Sequence, residues 1–300
     1  MQYRTELPKE FNSLKDFQDF RNLHKRISFE IKYDFMSRLL NQYGSPNWID
    51  IESKYYESLI SIYKEWKKEI PESFGYLLKE LKDLNKCFNL IKERLVEYLL
   101  IIESEEVNLQ EDIHNHLERN VFTKKNVSYK TLFLNFNYTS TIENYLQTIN
   151  GREFEVNYIH GKLNDNNNPI IFGYGDEIDS YYQEIERLNE NEFLQNIKSF
   201  GYFRTNNYQN FSRFLEQGKF QVHIMGHSCG LSDRILINSL VENKYCFRIK
   251  IYYYLRTKHE NDYTEKTHEL SRHFSATGKS RMRNIIIPEC DSVPLIKYNK

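Results

Sequence analysis

Apolar residues in the first third of the chain recur at helical spacing, whereas beyond Lys130 they gather into short β-branched and aromatic runs. From Phe11 to about Asn120 the chain is rich in helix formers, broken only by Gly44, Pro46, Pro71 and Gly75. Ser45-Pro46-Asn47 ahead of Trp48 predicts a helix start, because a short polar side chain caps the first free amides and proline has no amide to leave unpaired. That helix is expected to run to Ile70 and to bury Trp48, Tyr55, Ile62 and Trp66. After Pro71, apolar residues fall at Leu77, Leu81, Leu84, Phe88, Ile91, Leu95, Tyr98 and Ile102, in alternating steps of four and three. The seam predicts a second helix, about 39 Å long at 1.5 Å per residue, forming a hairpin with the first. The same seam would serve a coiled-coil contact between copies.

Beyond Lys130 the pattern predicts strands at 131–138, 154–160, 169–174, 220–226, 247–255 and 284–288. Helices are expected at 140–149, 184–200, 208–217, 233–243 and 263–274. Such alternation predicts an α/β fold with a mostly parallel sheet covered by helices. The organisation is therefore a helical module over 1–125 followed by an α/β domain over 126–300. Asp165-Asn-Asn-Asn168 before Pro169 marks a turn.

Composition narrows the classes of partner. In 300 residues, 41 Lys+Arg stand against 42 Asp+Glu, so the chain lacks the basic excess of a nucleic-acid binder. The four cysteines, Cys87, Cys229, Cys246 and Cys290, show no CxxC spacing and read as reduced thiols. No apolar stretch reaches the length of a membrane span, and Met1-Gln-Tyr-Arg-Thr-Glu does not open like a leader, so a cytoplasmic protein is expected.

The chemistry gathers where strands end. Phe133-Leu-Asn-Phe-Asn137-Tyr-Thr139 and Tyr158-Ile-His160-Gly161 each run from apolar into polar residues, and open α/β sheets keep ligand groups just past their carboxyl ends. A neutral imidazole can take a proton from a hydroxyl, and a carboxamide can orient a ribose or water by donating and accepting at once. Asn137 and His160 are thus the candidate catalytic pair. On a structural reading, Asn137 caps the next helix and His160 satisfies a loop carbonyl.

Gly173-Tyr-Gly175-Asp176-Glu177 reads as a turn in preference to a phosphate cradle. Gly226-His-Ser228-Cys-Gly230 fits the G-x-S-x-G of a serine hydrolase. Asp233, Glu242 or Asp262, with His259, His268 or His273, would complete a triad, but no HGGG-like segment lies upstream. His114 and His116 do not share a helix face, and His223 and His227 have no third ligand, so no metal is expected.

Four blocks in order resemble one family: Asn47-Trp-Ile-Asp50-Ile-Glu52, Phe136-Asn137-Tyr138-Thr139, Ile159-His160-Gly161, and Met225-Gly226-His227-Ser228 with Leu231-Ser232-Asp233. They are similar to the W-x-D-x-E, F-N-Y-T, I-H-G and G-H-S…S-D segments of bacteriophage abortive-infection proteins of the AbiH type, distant relatives of the sirtuin-like NAD-processing fold. The resemblance implies a Rossmann-type sheet with a large helical insertion, a role in antiphage defence, and NAD as a substrate cleaved at the nicotinamide–ribose bond. It implies catalytic roles for Asn137 and His160, and nucleotide contacts from Thr139, Gly161, Gly226, His227, Ser228 and Asp233. The implied partners are a nucleotide ligand, a phage protein as trigger and further copies of the chain.

Two departures accompany the resemblance. Thr139 stands where the superfamily usually has Asp, so a hydroxyl replaces a carboxylate in any nicotinamide recognition. No glycine occurs before Gly44, so the family's opening strand and glycine-rich loop, which would hold a diphosphate, are missing from the front of the sequence. Leu7 through Phe17 resembles the segment just after that loop, so the expectation is a shortened copy. The other reading is a variant without turnover, since each lost bond to a charged group weakens binding by about 1.5–3 kcal/mol. A phage-sensing subunit without enzymatic activity is a further alternative.

Overall fold

The computed structural model describes Phe35 and residues 48–68, 70–105, 108–121, 130–149 and 153–297, with the backbone alone for Trp48, Ile49, Asp50 and Asn120. The expected burial of Trp48 lies outside the described residues.

Helix α1 (Trp48–Trp66) is shorter than expected, ending before Ile70. Ile70 is extended and precedes Pro71, whose ring disfavours helical backbone in the residue before it. Helix α2 (Phe74–Ser104) packs against α1, and the seam from Leu77 to Leu95 is buried. The seam then departs from expectation: Tyr98 and Ile102 are 53% and 37% exposed. Among the described residues α2, with 31 residues, extends past the 19 of α1, and its last turns face no helix of the hairpin.

The hairpin shares its core with the chain that follows. Phe88 stacks on Phe172 at 4.8 Å between ring centroids, Tyr56 stacks on Tyr174 at 4.0 Å, and Trp66 meets Phe193 edge-on at 5.5 Å. Phe88 is fully buried, so Phe88→Ala is expected to cost about 3–5 kcal/mol in urea unfolding.

Among the described residues five strands are all parallel to their neighbours. β1 (Thr131–Asn135) pairs with β2 (Phe154–Tyr158), and β3 (Phe220–Met225) pairs with β4 (Cys246–Tyr253), which pairs with β5 (Val293–Pro294). Among the described residues these are two separate ladders. Parallel neighbours need a crossover: α3 (Glu111–His116) precedes the first ladder, α4 (Thr141–Leu146) lies between β1 and β2, and α8 (Arg234–Val241) lies between β3 and β4. Two apolar clusters join the ladders. Phe133 and Val156 share one with Met225, and Leu132 and Leu134 share the other with Phe220 and Leu236.

Three expected elements differ. The segment 169–174 forms no strand beyond a bridge from Tyr174 to Ile197. Its backbone bonds go to loops, from Ile171 N–H to the His160 carbonyl at 2.8 Å and from Lys198 N–H to the Tyr174 carbonyl at 2.9 Å. The helix expected at 184–200 is broken into α5 (Ser180–Glu186), a 3-10 turn Asn191–Leu194 and α6 (Lys198–Gly201). Asn189, at φ 56°, takes the left-handed conformation that no helix continues through. The strand expected at 284–288 overlaps α10 (Lys279–Ile285), leaving only Ile286 bridged to Ile249. Helix α7 (Asn207–Leu215) precedes β3, and α9 (Tyr263–Ser271) follows β4, close to the predicted spans. The architecture is mixed α/β with short parallel ladders. Among the described residues no helix is long and apolar enough to cross a membrane.

Candidate functional site

His160 lies two residues past β2, where the chain turns back through Gly161 at φ +94°. Phe136 and His227, just past β1 and β3, bring their rings within 4.1 Å, so the carboxyl ends of the two ladders meet. A buried charged cluster fills this junction. Lys198 Nζ, at the start of α6, lies 2.9 Å from Glu52 Oε2 on α1 and 2.8 Å from Asp233 Oδ1 ahead of α8. Glu52 Oε1 also accepts the Gly173 amide at 3.2 Å. His160 Nε2 and His227 Nε2 each stand 3.4 Å from Asp233, one at each carboxylate oxygen.

The two imidazoles are held differently. The Cys229 amide donates to His227 Nδ1 at 2.9 Å, which leaves Nε2–H to face Asp233 Oδ2. His160 is bonded to the Phe136 carbonyl, and its Nε2 lies 3.2 Å from the Tyr202 hydroxyl. With Nδ1–H donating to that carbonyl, Nε2 accepts from Tyr202 and the ring is satisfied while neutral.

Burial and charge set the protonation states. Burial, reinforced by the Lys198 ammonium, pushes His160 down to about 3. Burial raises Glu52 to about 7, against the pull of Lys198. Burial works to raise Asp233, but Lys198 and then His160 outweigh it and hold the carboxyl well below its usual range. Burial works to lower Lys198, but Asp233 and Glu52 raise it. At neutral pH the junction therefore contains an ammonium, an ionised Asp233, a titrating Glu52 and a neutral His160.

A pH dependence follows. His160, His223 (about 4), His116 and His273 are all lowered, chiefly by burial. Below the ordinary value of 6.5, the unfolded chain takes up protons that these rings refuse in the fold. Stability therefore falls as pH drops from about 6.5 to 5, by about 2 kcal/mol for His160 alone. Glu52 opposes this, since its raised value makes stability fall as pH rises from 4.5 towards 7. Four imidazoles outweigh one carboxyl, so the urea midpoint is expected to be lower at pH 5 than at pH 7.5. Glu52→Gln should steepen the loss.

Asn137 lies two residues past β1 and is exposed, while its amide bonds to Asn135 Oδ1 at 3.0 Å. It does not cap α4; that amide end is held by Glu103, which accepts the Ser140 amide at 2.9 Å. Thr139 Oγ1 lies 3.1 Å from Thr141 Oγ1. Tyr138 donates to the Ile171 carbonyl at 3.1 Å. Gly226, at φ +76°, opens the loop that bears His227 and Ser228. Among the described residues Ser228 Oγ has no imidazole within hydrogen-bonding reach, and His273 Nε2 bonds instead to the Cys229 carbonyl at 2.8 Å.

The G-Y-G-D-E segment is a turn organised by its own carboxylate. Asp176 Oδ1 accepts the amides of Ile178 and Asp179, and Oδ2 takes Arg234 Nη1 at 2.9 Å. Gly175 has a steric role: a Cβ there would meet the Ser232 carbonyl at 2.7 Å and the Lys198 stem at 3.4 Å. Lys198 and Tyr202, central to the junction, carry no sequence signal, since a lone lysine between Ile197 and Ser199 reads as a surface residue. Among the described residues no group of three or more His, Cys, Asp or Glu is placed to hold a metal.

Fold and junction together define a mixed α/β protein in which a helical hairpin is bonded into a charged cluster at the carboxyl ends of parallel strands. The family described as Bacteriophage abortive infection AbiH matches residues 10–284, and the chain belongs to that family. No curated protein and no solved structure matches it. Antiphage defence by abortive infection is the role that membership suggests.

Proposed function

We propose that the chain is an abortive-infection effector of sirtuin-like, Rossmann-type architecture, whose strand-end junction cleaves the nicotinamide–ribose bond of NAD. The carbon–nitrogen bond breaks, water adds to the ribose carbon, and nicotinamide leaves with ADP-ribose and a proton as the other products. The observation that carries this reading is a neutral His160 beside an ionised Asp233 at the carboxyl end of β2, with solvent-exposed Asn137 past the neighbouring strand. Asn137 would orient the ribose or the water; once opening of the junction relieves the burial that holds its basicity down, His160 would accept the proton and Asp233 would stabilise the resulting imidazolium. Thr139, Gly161, Gly226, His227 and Ser228 would line the nucleoside end.

The two glycine-bearing loops are poorly suited to a diphosphate. The Cys229 amide is taken by His227, and those of Ile178 and Asp179 by Asp176, so neither glycine-bearing loop offers these amides to a phosphate. His160 is 3% exposed, so the junction must open before substrate reaches it. That burial also favours a second reading, in which the cluster is a structural lock in a non-enzymatic phage sensor.

Nicotinamide release from NAD by the purified chain, alone and with phage lysate, separates the two. Release by the parent and its loss in His160→Ala are expected. Equal release in both would remove His160 from the reaction, and no release under either condition would favour the sensor.

A further inference from the structure

Lys198 is 2% exposed, and it is the cation of the junction that faces both carboxylates. Its stem runs beside Gly175, whose missing side chain leaves room for it. Its two acceptors belong to different parts of the fold: Glu52 is on the helical hairpin, whereas Asp233 is at the strand ends, touching both imidazoles. Glu52 itself bonds to Lys198 and the Gly173 amide and to neither ring.

We propose that Lys198 is the positioning residue through which the helical hairpin controls the two imidazoles: it clamps Asp233, takes Glu52 as its second anchor, and transmits displacement of α1 to His160 and His227. The inference rests on reading the junction as the functional site, and it assigns the hairpin a way to regulate that site. When α1 moves, Glu52 leaves the ammonium. Lys198 then turns wholly to Asp233 Oδ1, the oxygen that faces His160, and the carboxylate reorients against both rings. Such coupling travels through a contiguous bonded network with two arrangements of one cation, with and without its second anchor.

The test is nitrogen NMR of the histidine rings in the full chain, which requires no turnover. In Glu52→Gln the ring signals of His160 and His227 should both shift, although Glu52 touches neither. Those of His116 and His223 serve as controls, bonded to the Pro294 carbonyl and the Tyr252 hydroxyl, and should stay in place. Lys198→Met should move the same two rings further and raise the His160 midpoint from about 3, and Lys198→Arg should return both rings towards the parent. If Lys198→Met does not fold, Glu52→Gln carries the test. Unmoved His160 and His227 in a folded Glu52→Gln chain, or equal shifts at all four rings, would overturn the inference. Coupled rings in a chain that releases no nicotinamide leave it standing and remove the proposed reaction; release with uncoupled rings does the reverse.

Discussion

Lys198→Met is expected to destabilise the chain by about 3–5 kcal/mol at neutral pH, because removing one partner of a buried ionic group leaves the others uncompensated. Glu52 and Asp233 would be left sharing a buried space, both nearly inaccessible to water. One must then take up a proton, and Glu52, already raised to about 7, is the readier acceptor. The loss should therefore shrink as pH is lowered towards 6. It should also be partly recovered in the double variant with Glu52→Gln, whose neutral amide needs no counter-ion. Urea unfolding of the single and double variants at pH 7.5 and pH 6 measures both effects. A single variant as stable as the parent would mean that the three charges are not packed as described.

Gly161→Ala is expected to cost roughly 2–5 kcal/mol, combining a left-handed backbone that a side chain resists with overpacking against main chain. Gly161 has φ +94°, and a Cβ there would lie 2.4 Å from the Pro169 carbonyl oxygen and 2.7 Å from Ile170 Cα. The clash cannot relax by a rotamer change because its partners are backbone. They are also fixed on both sides, by Lys162 N–H to the Asn168 carbonyl at 3.0 Å and by Ile171 N–H to the His160 carbonyl at 2.8 Å. The glycine of the I-H-G block thus has a structural reason: it lets residues 168–171 close over the turn that holds His160. A thermal midpoint lower by roughly 3–8 °C is the expected readout. An unchanged midpoint would show that the turn can open freely.

Sequence pattern was informative where periodicity was long or an element was buried on one side. The α2 seam, β1 to β4 and the crossover helices were legible because burial imposes spacing. What periodicity could not give was how far a partner covers the seam: Tyr98 and Ile102 continue it, but among the described residues no helix faces them. The segment 169–174 has strand composition yet spends its amides on loops, because Glu52, His160 and Asn196 reach it first.

The junction was only partly readable. His160, His227 and Asp233 stood out through their motifs, and Glu52 closed the first block. Ser228 drew attention as a nucleophile although its neighbour His227 makes the charged contact. Lys198 was invisible, since its role comes from burial between two segments far apart in sequence, and no local pattern encodes that. Strand position alone pairs Asn137 with His160. Both follow adjacent strands, but one is exposed and the other sealed.

That contrast makes Asn137 the most useful probe of the strand ends as a functional site. Being exposed, with only its amide bonded among the described residues, it can be changed to alanine within about 0.5 kcal/mol of the parent's stability. The decisive measurement is the NAD content of phage-infected cells carrying the parent chain or Asn137→Ala, with plaque counts taken in parallel. The account predicts that the parent depletes NAD and suppresses plaques, while Asn137→Ala, equally abundant, does neither. Equal depletion and equal protection by the two chains would contradict it.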